Sequence, residues 1–551
     1  MSSATDTPRF EIGLVMAGAV SAGAYTAGVV DFLVEALDAW EGAQQRSDFA
    51  GPRHDVLIRT LAGASAGGMT SAIAAVALQS QSVPVRDVDN PPPPESNRLY
   101  ESWVRRIDVT SLLAREDIDK EGRVTSLLDS SELARIAESA LHTQTLSTPR
   151  RYVADPLAVF LTVANLRGVP YGFSLISVPG ARPYGMLAHA DHMRFSVSRL
   201  NRSIPGARLL DPASKPGDNW PGLALAALAT GAFPIGLKPR RLERPHADFV
   251  DRFAFPPMLP TPLPADPYIM LCVDGGLMNN EPLELARTYL SGGADKRNPQ
   301  EGTRASRAVI MIDPFPNTAA LNPDYKPGDG LLTVAGKMFG ALINQARFKP
   351  EELSLAADDK VYSRFMIAPS RTDAQDNSIE PAMASAVLDG FGGFLSQAFR
   401  RHDFQLGRRN CQNFLRRHFC LPENNPLFDS WRDPASRDRY YVRDGSGNLV
   451  AYTTADPTRM LPIIPLMPDV AGEIPLYTPP RATSVDMNAL EKLIDSRLKA
   501  VAETLIDTDL APVIGGSLAR WLARTAFNLK IRPKLRAKAC SIVQDELRRL
   551  H

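Results

Sequence analysis

The sequence predicts an α/β fold in which helices cover a mostly parallel central sheet, followed by a mainly helical C-terminal region. Two strand–loop–helix units open the chain, because apolar runs at Ile12–Met16 and Val56–Leu61 each enter a loop of small residues and then a helical pattern. Alternating elements of this kind are typical of a parallel sheet with helices on its faces. Further apolar strands are predicted at Val159–Ala164, Tyr268–Val273 and Ala308–Ile312.

The composition indicates a folded protein without a nucleic-acid partner. Of the 551 residues, 44% are hydrophobic and 22% charged, and 62 Lys and Arg residues nearly balance 61 Asp and Glu residues, for a formal net charge of +1. This balance excludes a disordered chain and a strongly basic nucleic-acid-binding protein. No metal-ligand spacing and no dinucleotide fingerprint occur, so no cofactor is expected. The four cysteines form no CxxC pair and no signal peptide is recognisable, so we expect a cytoplasmic protein.

The alternation of strands and helices stops near residue 320. We therefore predict a first domain over residues 8–320 and a mainly helical region over residues 321–551. Helical patterns in the second part cover Leu332–Phe348, Ala382–Phe419, Met487–Ile506 and the stretch from Leu518 to the end. In the first part, nine prolines between Pro234 and Pro267 predict a long loop, which is either a surface connection or an apolar lid.

A serine stands in the turn after the second predicted strand. Gly63-Ala64-Ser65-Ala66-Gly67 fits the G-x-S-x-G pattern, in which the glycines leave room for a serine raised on a tight strand-to-helix turn. The helix behind this turn directs its N-terminal dipole and the Ala66 amide toward an oxyanion forming nearby. Without further residues, a structural glycine-rich turn explains the pattern equally well.

Two other segments add chemistry to this turn. Asp274 ends an apolar strand and is followed by Gly275 and Gly276. A carboxylate in this position is expected at the same edge of a parallel sheet as Ser65, where it could act as a base. The loop Ala17–Gly23 consists mostly of small residues, so its backbone N–H groups could approach a substrate oxygen.

In order and spacing, these three segments resemble the patatin-like phospholipase family, over roughly residues 10–315. The family has a glycine-rich oxyanion loop, then G-x-S-x-G, then D-G-[GA], which here are Gly18–Gly23, Gly63–Gly67 and Asp274–Gly276. The resemblance implies a three-layer αβα sandwich and hydrolysis of a lipid or other acyl ester by a Ser65–Asp274 dyad through an acyl-enzyme. For the oxyanion hole, the resemblance implies Gly18, Ala19, Val20 and Ala66. For the structural motif, it implies Gly23, Gly63, Gly67, Gly275 and Gly276.

The oxyanion loop departs from the family pattern. The family usually has G-G-G-x-[KR]-G, whereas this chain has Gly18-Ala-Val-Ser-Ala-Gly23, without two of the glycines and the basic residue. Backbone amides remain at Ala19 and Val20. If the loop requires a positive φ at Val20, however, its β-branched side chain opposes that conformation. A catalytically degenerate protein that only binds or serves as a scaffold is therefore a second hypothesis.

A third hypothesis keeps the serine but changes its partners. An α/β-hydrolase triad would use Asp313 as the acid and His402 or His418 as the base. The simpler interpretations are a strand-capping turn for Asp313 and helix-surface side chains for the two histidines.

The C-terminal segment carries an apolar stripe and a basic excess. Leu518, Trp521, Leu522, Ala526 and Leu529 share one side of a helix, and Leu535, Ala539, Ile542, Val543 and Leu550 extend the stripe beyond Pro533. From Leu518 to His551, Lys and Arg outnumber Asp and Glu by seven. These basic helices either contact an anionic membrane peripherally or pack on the core of the protein.

Overall fold

A computed structural model describes residues 7–141, 148–173, 184–213, 220–249, 266–315, 360–372, 377–431, 433–514 and 516–550, with positions 146, 330, 334, 337, 338 and 341 between them. The predicted helix Leu332–Phe348 and the prolines between residues 250 and 265 lie almost wholly outside the described residues.

The elements follow the expected order along the chain. The strands are β1 Arg9–Met16, β2 Asp55–Gly63, β3 Val153–Phe173, β4 Tyr184–Val197, β5 Arg208–Leu210, β6 Arg240–Arg244, β7 Tyr268–Asp274, β8 Arg307–Ile312, β9 Arg364–Ile367, β10 Cys420–Pro422 and β11 Met460–Pro462. In the described ranges, the helices of nine or more residues are α1 Gly23–Gln44, α2 Ser65–Ala77, α3 Ser131–Leu141, α4 Trp220–Thr230, α5 Leu283–Ser291, α6 Gln397–Arg417, α7 Met487–Asp507, α8 Ser517–Ala526 and α9 Arg532–Leu547.

One mostly parallel sheet forms the centre of the molecule. Its strand order is β5-β4-β3-β2-β1-β8-β9, and β3, β2, β1, β8 and β9 run parallel. Strand β4 is antiparallel to β3, and the pair β6–β7 branches from β3. The carboxyl ends of the parallel strands meet at one edge, which is where open α/β sheets place their sites.

Helices cover both faces of this sheet. Along β1, Ile12, Leu14 and Met16 belong to the large core that includes α1, α2 and α6, whereas Val15 belongs to the smaller core under α5. This alternation follows from the two-residue period of a strand. The α/β class is confirmed as helices on either side of a mostly parallel sheet, with a helical region after it.

Three details of the sequence prediction need correction. Strand β7 is antiparallel to its neighbours, although we expected a parallel strand before Asp274. The proline-rich stretch contains strand β6, whose pairing among the described residues is with β7 alone, so the flanking prolines are tolerated. Strand β9 joins the same sheet beside β8, so the sheet receives a strand from beyond residue 320. The division at residue 320 itself stays a prediction.

Helix α6 is part of the core. Gly28 of α1 and Gly407 of α6 face the partner backbone so closely that a Cβ on Gly407 would lie 2.1 Å from the Tyr25 carbonyl oxygen. Beside this contact, Arg408 of α6 pairs with Asp31 and Glu35 of α1, and all three side chains are buried. Burial raises the pKa of the Asp31 carboxyl, and the Arg408 guanidinium opposes that shift.

Among the described residues, one helix, Val20–Gln44, is long and apolar enough by length and composition to cross a membrane. Its most apolar window is 94% buried inside the structure. Asp31 and Glu35 lie on this helix, and both pair with Arg408 of α6.

The predicted C-terminal helices differ from the structure in two places. The predicted helix Ala382–Phe419 is shorter, because residues 384–395 form short turns and α6 begins only at Gln397. The last predicted helix is interrupted by a π-helical turn, Phe527–Ile531, between α8 and α9. As a result, the predicted apolar stripe does not form one continuous face.

Candidate active site

The serine lies on a strained turn between β2 and α2. Ser65 is the first residue of α2 and has φ 52°, a left-handed conformation that non-glycine residues rarely adopt. Close backbone packing explains the flanking glycines. A Cβ on Gly63 would lie 2.4 Å from the Gly67 carbonyl oxygen, and a Cβ on Gly67 would lie 2.1 Å from the Met16 carbonyl oxygen. The turn therefore presents the Ser65 hydroxyl above the sheet edge.

A buried carboxylate receives the hydrogen bond of this hydroxyl. Ser65 Oγ donates to Asp274 Oδ2 at 2.6 Å, and the Gly276 amide donates to Asp274 Oδ1 at 2.7 Å. Asp274 is only 4% exposed. Burial raises its pKa to about 7, although the hydrogen bonds from Ser65 and Gly276 act in the opposite direction.

Asp274 reaches the serine from the opposite direction to the one expected. Leu161 of β3 pairs with Gly63 at the end of β2, and two residues later Val163 pairs with Asp274 of the antiparallel β7. Strand β3 thus extends past the end of β2 and brings the end of β7 back to the serine. The expected edge was correct, but the expected strand direction was wrong.

The other motif glycines also lie at close approaches. A Cβ added to any of these four glycines would lie within 2.6 Å of a neighbouring atom. Gly18 and Gly276 face Asn280 Oδ1, Gly23 faces the Trp103 ring, and Gly275 faces the Thr162 carbonyl oxygen.

The loop before α1 lies directly against the serine. A Cβ on Gly18 would lie 3.1 Å from Ser65 Cβ, and the Gly18 amide donates to the Asn280 carbonyl oxygen at 3.3 Å. Within the described residues, the Ala19 and Val20 amides have no protein acceptor. The Ala66 amide belongs to the first helical turn, whose N–H groups have no intrahelical partner. These three amides are therefore free to bind an oxygen, whereas the amide of Gly18, which the resemblance placed in the oxyanion hole, is already bonded to Asn280.

Val20 adopts the conformation that its side chain disfavours. Its φ is 48°, which is rare for a β-branched residue. The next residue, Ser21, is fully buried; its hydroxyl donates to the Gly390 carbonyl oxygen and accepts from the Gly393 amide at 2.9 Å. A segment before α6, residues 384–395, therefore anchors the loop at Ser21, which is the variable position of the family pattern.

A pocket of about 480 Å³ opens over Ser65 and Asp274. Most of its wall is apolar, as is typical of a small-molecule binding site. Part of the wall comes from the segment that anchors Ser21. The apolar side chains of the wall include Val20, Phe233, Pro234, Leu277 and Phe315. The segment before α6 contributes Ala386, Asp389, Gly390 and Phe391.

The residues of the alternative triad lie elsewhere. His402 is buried, with Nδ1 bonded to Asp403 and Nε2 to Arg371, so it is not the helix-surface side chain that we expected. His418 is exposed at the end of α6. Asp313 is fully buried at the end of β8 and accepts from the Phe315 amide. The geometry thus contradicts a triad in which either histidine serves Ser65.

Some residues of the site were not identified from the sequence. Thr230 Oγ1 accepts from the Ser65 amide at 2.9 Å, and Asn280 supports the loop before α1. The stretch of mostly small residues Ala229–Pro234 contains Thr230, and the residues that follow Gly276 include Asn280, so both lie in segments that the sequence could have indicated. For the segment before α6, the glycines at 390, 392 and 393 were a signal against a continuous helix.

No group of three or more His, Cys, Asp or Glu side chains in the described part of the chain is arranged to hold a metal ion.

Comparison with known proteins gives three findings. Residues 14–287 match a family model described as patatin-like phospholipase. The uncharacterized protein y4iI of Sinorhizobium fredii is 37% identical over 557 residues, which cover 91% of this chain and 77% of that protein. A crystal structure of VipD from Legionella pneumophila covers 98% of this chain and 92% of its own at 11% identity, with a TM-score of 0.22 that is too low to support a conclusion.

The matched range contains the loop before α1, the serine turn and Asp274, so the family model and the geometry concern the same residues. The chain therefore belongs to the patatin-like phospholipase family.

Proposed function

We propose that the protein is a lipid acyl hydrolase that cleaves acyl esters with a Ser65–Asp274 dyad through an acyl-enzyme. Its family supports a hydrolase that acts on lipid esters. The 2.6 Å hydrogen bond from Ser65 Oγ to Asp274 Oδ2, at the base of an apolar pocket, carries the finer proposal.

In the first half-reaction, Asp274 accepts the Ser65 proton as Oγ attacks the ester carbonyl carbon. The Ala19, Val20 and Ala66 amides donate to the resulting oxyanion. When the tetrahedral intermediate collapses, the bond from carbon to the alkoxy oxygen breaks and Asp274 returns the proton to the leaving alcohol. Ser65 then carries the acyl group as an ester.

In the second half-reaction, water attacks the acyl-enzyme. Asp274 accepts a proton from the water, and the same amides bind the second oxyanion. Collapse releases the fatty acid, and the proton returns to Ser65 Oγ. A pKa of about 7 suits this role, since a general base works best with a pKa near the working pH.

The apolar pocket wall favours a fatty-acyl chain as the group bound beside the serine. Phe233 and Phe391 pack edge to face at 5.7 Å and form part of this wall. Such a surface contributes through burial of apolar area and offers little to a polar acyl group.

The hypothesis of a degenerate binding protein depends on the missing loop glycines. Val20 nevertheless keeps a left-handed backbone, which is the conformation that a glycine would provide. This observation supports hydrolysis over simple binding.

The test is hydrolysis of a chromogenic fatty-acid ester by single variants. Ser65→Ala and Asp274→Asn are each expected to lower kcat by about a thousandfold or more, as removal of a nucleophile or its base does elsewhere. His418→Gln is the control for the triad and should retain full activity. Substantial activity in Ser65→Ala or Asp274→Asn, or its loss in His418→Gln, would contradict the dyad.

A further inference from the structure

Helix α8 is oriented with its polar side toward the protein and its apolar side away from it. Arg524 of α8 pairs with Asp507 of α7, and Asn528, in the turn after α8, donates to Glu503 Oε1 at 3.0 Å. An amphipathic helix on a protein surface ordinarily has the opposite orientation. The described part of the protein therefore leaves the apolar side of α8 uncovered.

We define the outer face by four side chains of α8 and the following turn. Leu518, Trp521, Leu522 and Leu529 are 69%, 59%, 53% and 73% exposed. Nine of the twenty-four exposed large hydrophobic side chains of the described chain lie between positions 510 and 542. A concentration of exposed apolar side chains of this kind marks an interaction site.

Three lysines adjoin the outer face in sequence. Lys530, Lys534 and Lys538 are exposed, and no carboxylate of the described residues lies within ion-pair distance of them. In contrast, Arg532 and Arg536 on the same segment pair with acidic residues of α7. The lysines therefore remain available to an anionic partner.

The supporting helix is firmly attached to the protein. Arg497 of α7 is 3% exposed, pairs with the buried Asp117 and donates to the carbonyl oxygens of Ala114 and Leu127. Because α8 and α9 both bind α7 through ion pairs, the outer face has a fixed position on the molecule.

The end of α9 lies beside the pocket wall. The Leu388 amide donates to Glu546 Oε2 at 3.3 Å, and the next residue, Asp389, lines the pocket. Leu547 is buried in a cluster with Phe399. The surface that carries the lysines is thus connected to the segment that forms the pocket.

We propose that the outer face and its three lysines dock on the surface of an anionic lipid bilayer. Exposed leucines and a tryptophan can enter the boundary between headgroups and acyl chains, while the lysines contact anionic headgroups. A second copy bound symmetrically through this face would bring two sets of lysines together, which disfavours self-association. If the proposed function is correct, docking would hold the enzyme at the surface that contains its lipid substrate.

The experiment is flotation of the full chain with vesicles, which does not depend on hydrolysis. Vesicles of phosphatidylcholine with phosphatidylglycerol should carry the protein upward, and phosphatidylcholine alone should carry much less. The triple variant Lys530→Gln, Lys534→Gln, Lys538→Gln should bind the anionic vesicles more weakly by about fivefold per lysine. The double variant Trp521→Ser, Leu522→Ser should lose most binding to both vesicles.

Matched controls separate docking from misfolding. Leu200→Ser removes a side chain that is 61% exposed elsewhere and should float like the original chain. All variants should keep their thermal unfolding midpoint and their hydrolysis of a short, monomeric ester. Equal flotation of the original chain and the two docking variants would overturn the proposal. A dimer in light scattering that becomes a monomer with Trp521→Ser, Leu522→Ser would also overturn it, because a second copy would then cover the face.

Discussion

Helices α6 and α8 both come from the region after residue 320 and both are amphipathic, but they have opposite relations to the protein. The buried Arg408 of α6 pairs with two acidic residues of α1, and Gly407 lets the two backbones touch. On α8 the polar side contacts the protein and Trp521 is 59% exposed. Amphipathic periodicity alone therefore does not tell which side of a helix faces the core; the residues on the opposing element decide it.

The same contrast extends to the active site. The segment before α6 forms part of the pocket wall and binds Ser21, so the region after residue 320 belongs structurally to the site. Helix α9 lies at its edge and touches the segment through Glu546.

The largest expected effect on stability comes from removing the buried arginine that joins α6 to α1. Arg408→Met should lower the free energy of unfolding by about 3–5 kcal/mol, because it leaves Asp31 buried without its cation and Glu35 with only the exposed Arg86. The matched control is Arg548→Met, which removes an arginine that is 77% exposed from its pair with Asp545 and should leave stability unchanged. Urea unfolding measures both. Similar midpoints for the two variants would show that α6 is not integral to the core.

Two glycine substitutions test the same contrast through backbone packing. Gly407→Ala should cost about 1–3 kcal/mol, because its Cβ would lie 2.1 Å from the Tyr25 carbonyl oxygen and the helices must separate. Gly516→Ala, before α8, has no atom within 4 Å of the new Cβ and should change stability little. Thermal unfolding of the two variants in parallel measures the difference. Equal midpoints would contradict the close packing of α1 and α6.

The buried Asp274 gives a prediction in pH. Folding raises the pKa of Asp274 from 3.8 to about 7. The contribution of this carboxyl to the free energy of unfolding is therefore fully present below pH 3.8 and is lost as the pH rises through 7. Asp274→Asn, which cannot ionise, should therefore exceed the original chain in unfolding free energy by about 1–2 kcal/mol above pH 7. The kcat/KM of the original chain should rise with pH, and this pH profile should have an apparent pKa near 7. A profile flat across this range would show that Asp274 is not the base.

The smallest expected effect is at Ser21, a positioning residue. Ser21→Ala removes the hydroxyl that joins the oxyanion loop to Gly390 and Gly393, so kcat should fall about tenfold while KM changes little. Ser21→Thr, which keeps a hydroxyl, should restore part of kcat. A rise in KM at unchanged kcat would instead indicate that Ser21 only shapes the substrate pocket.

Local sequence patterns predicted the sheet and the serine turn well. Ser65 and its glycines could be identified because a strand-to-helix turn is encoded within a few residues, and Asp274 because it ends an apolar strand. The direction of β7 could not be identified, since it depends on β3 extending beyond β2, a pairing between distant residues.

The segment before α6 shows the same limit. Its contact with Ser21 joins residues separated by about 370 positions, and no periodicity reports such a contact. The exposure of α8 is also a tertiary property. The stripe itself was visible in the sequence, but only Asp507 and Glu503 of α7 determine which side faces inward.

Reaction with a fluorophosphonate probe tests the central claim most directly, because the probe forms a covalent adduct only with an activated serine. Mass spectrometry of the digested protein should locate one adduct, on Ser65. Ser65→Ala should give none, and Asp274→Asn should react at least about a hundredfold more slowly. An unlabelled protein, or an adduct on another serine, would contradict the Ser65–Asp274 dyad.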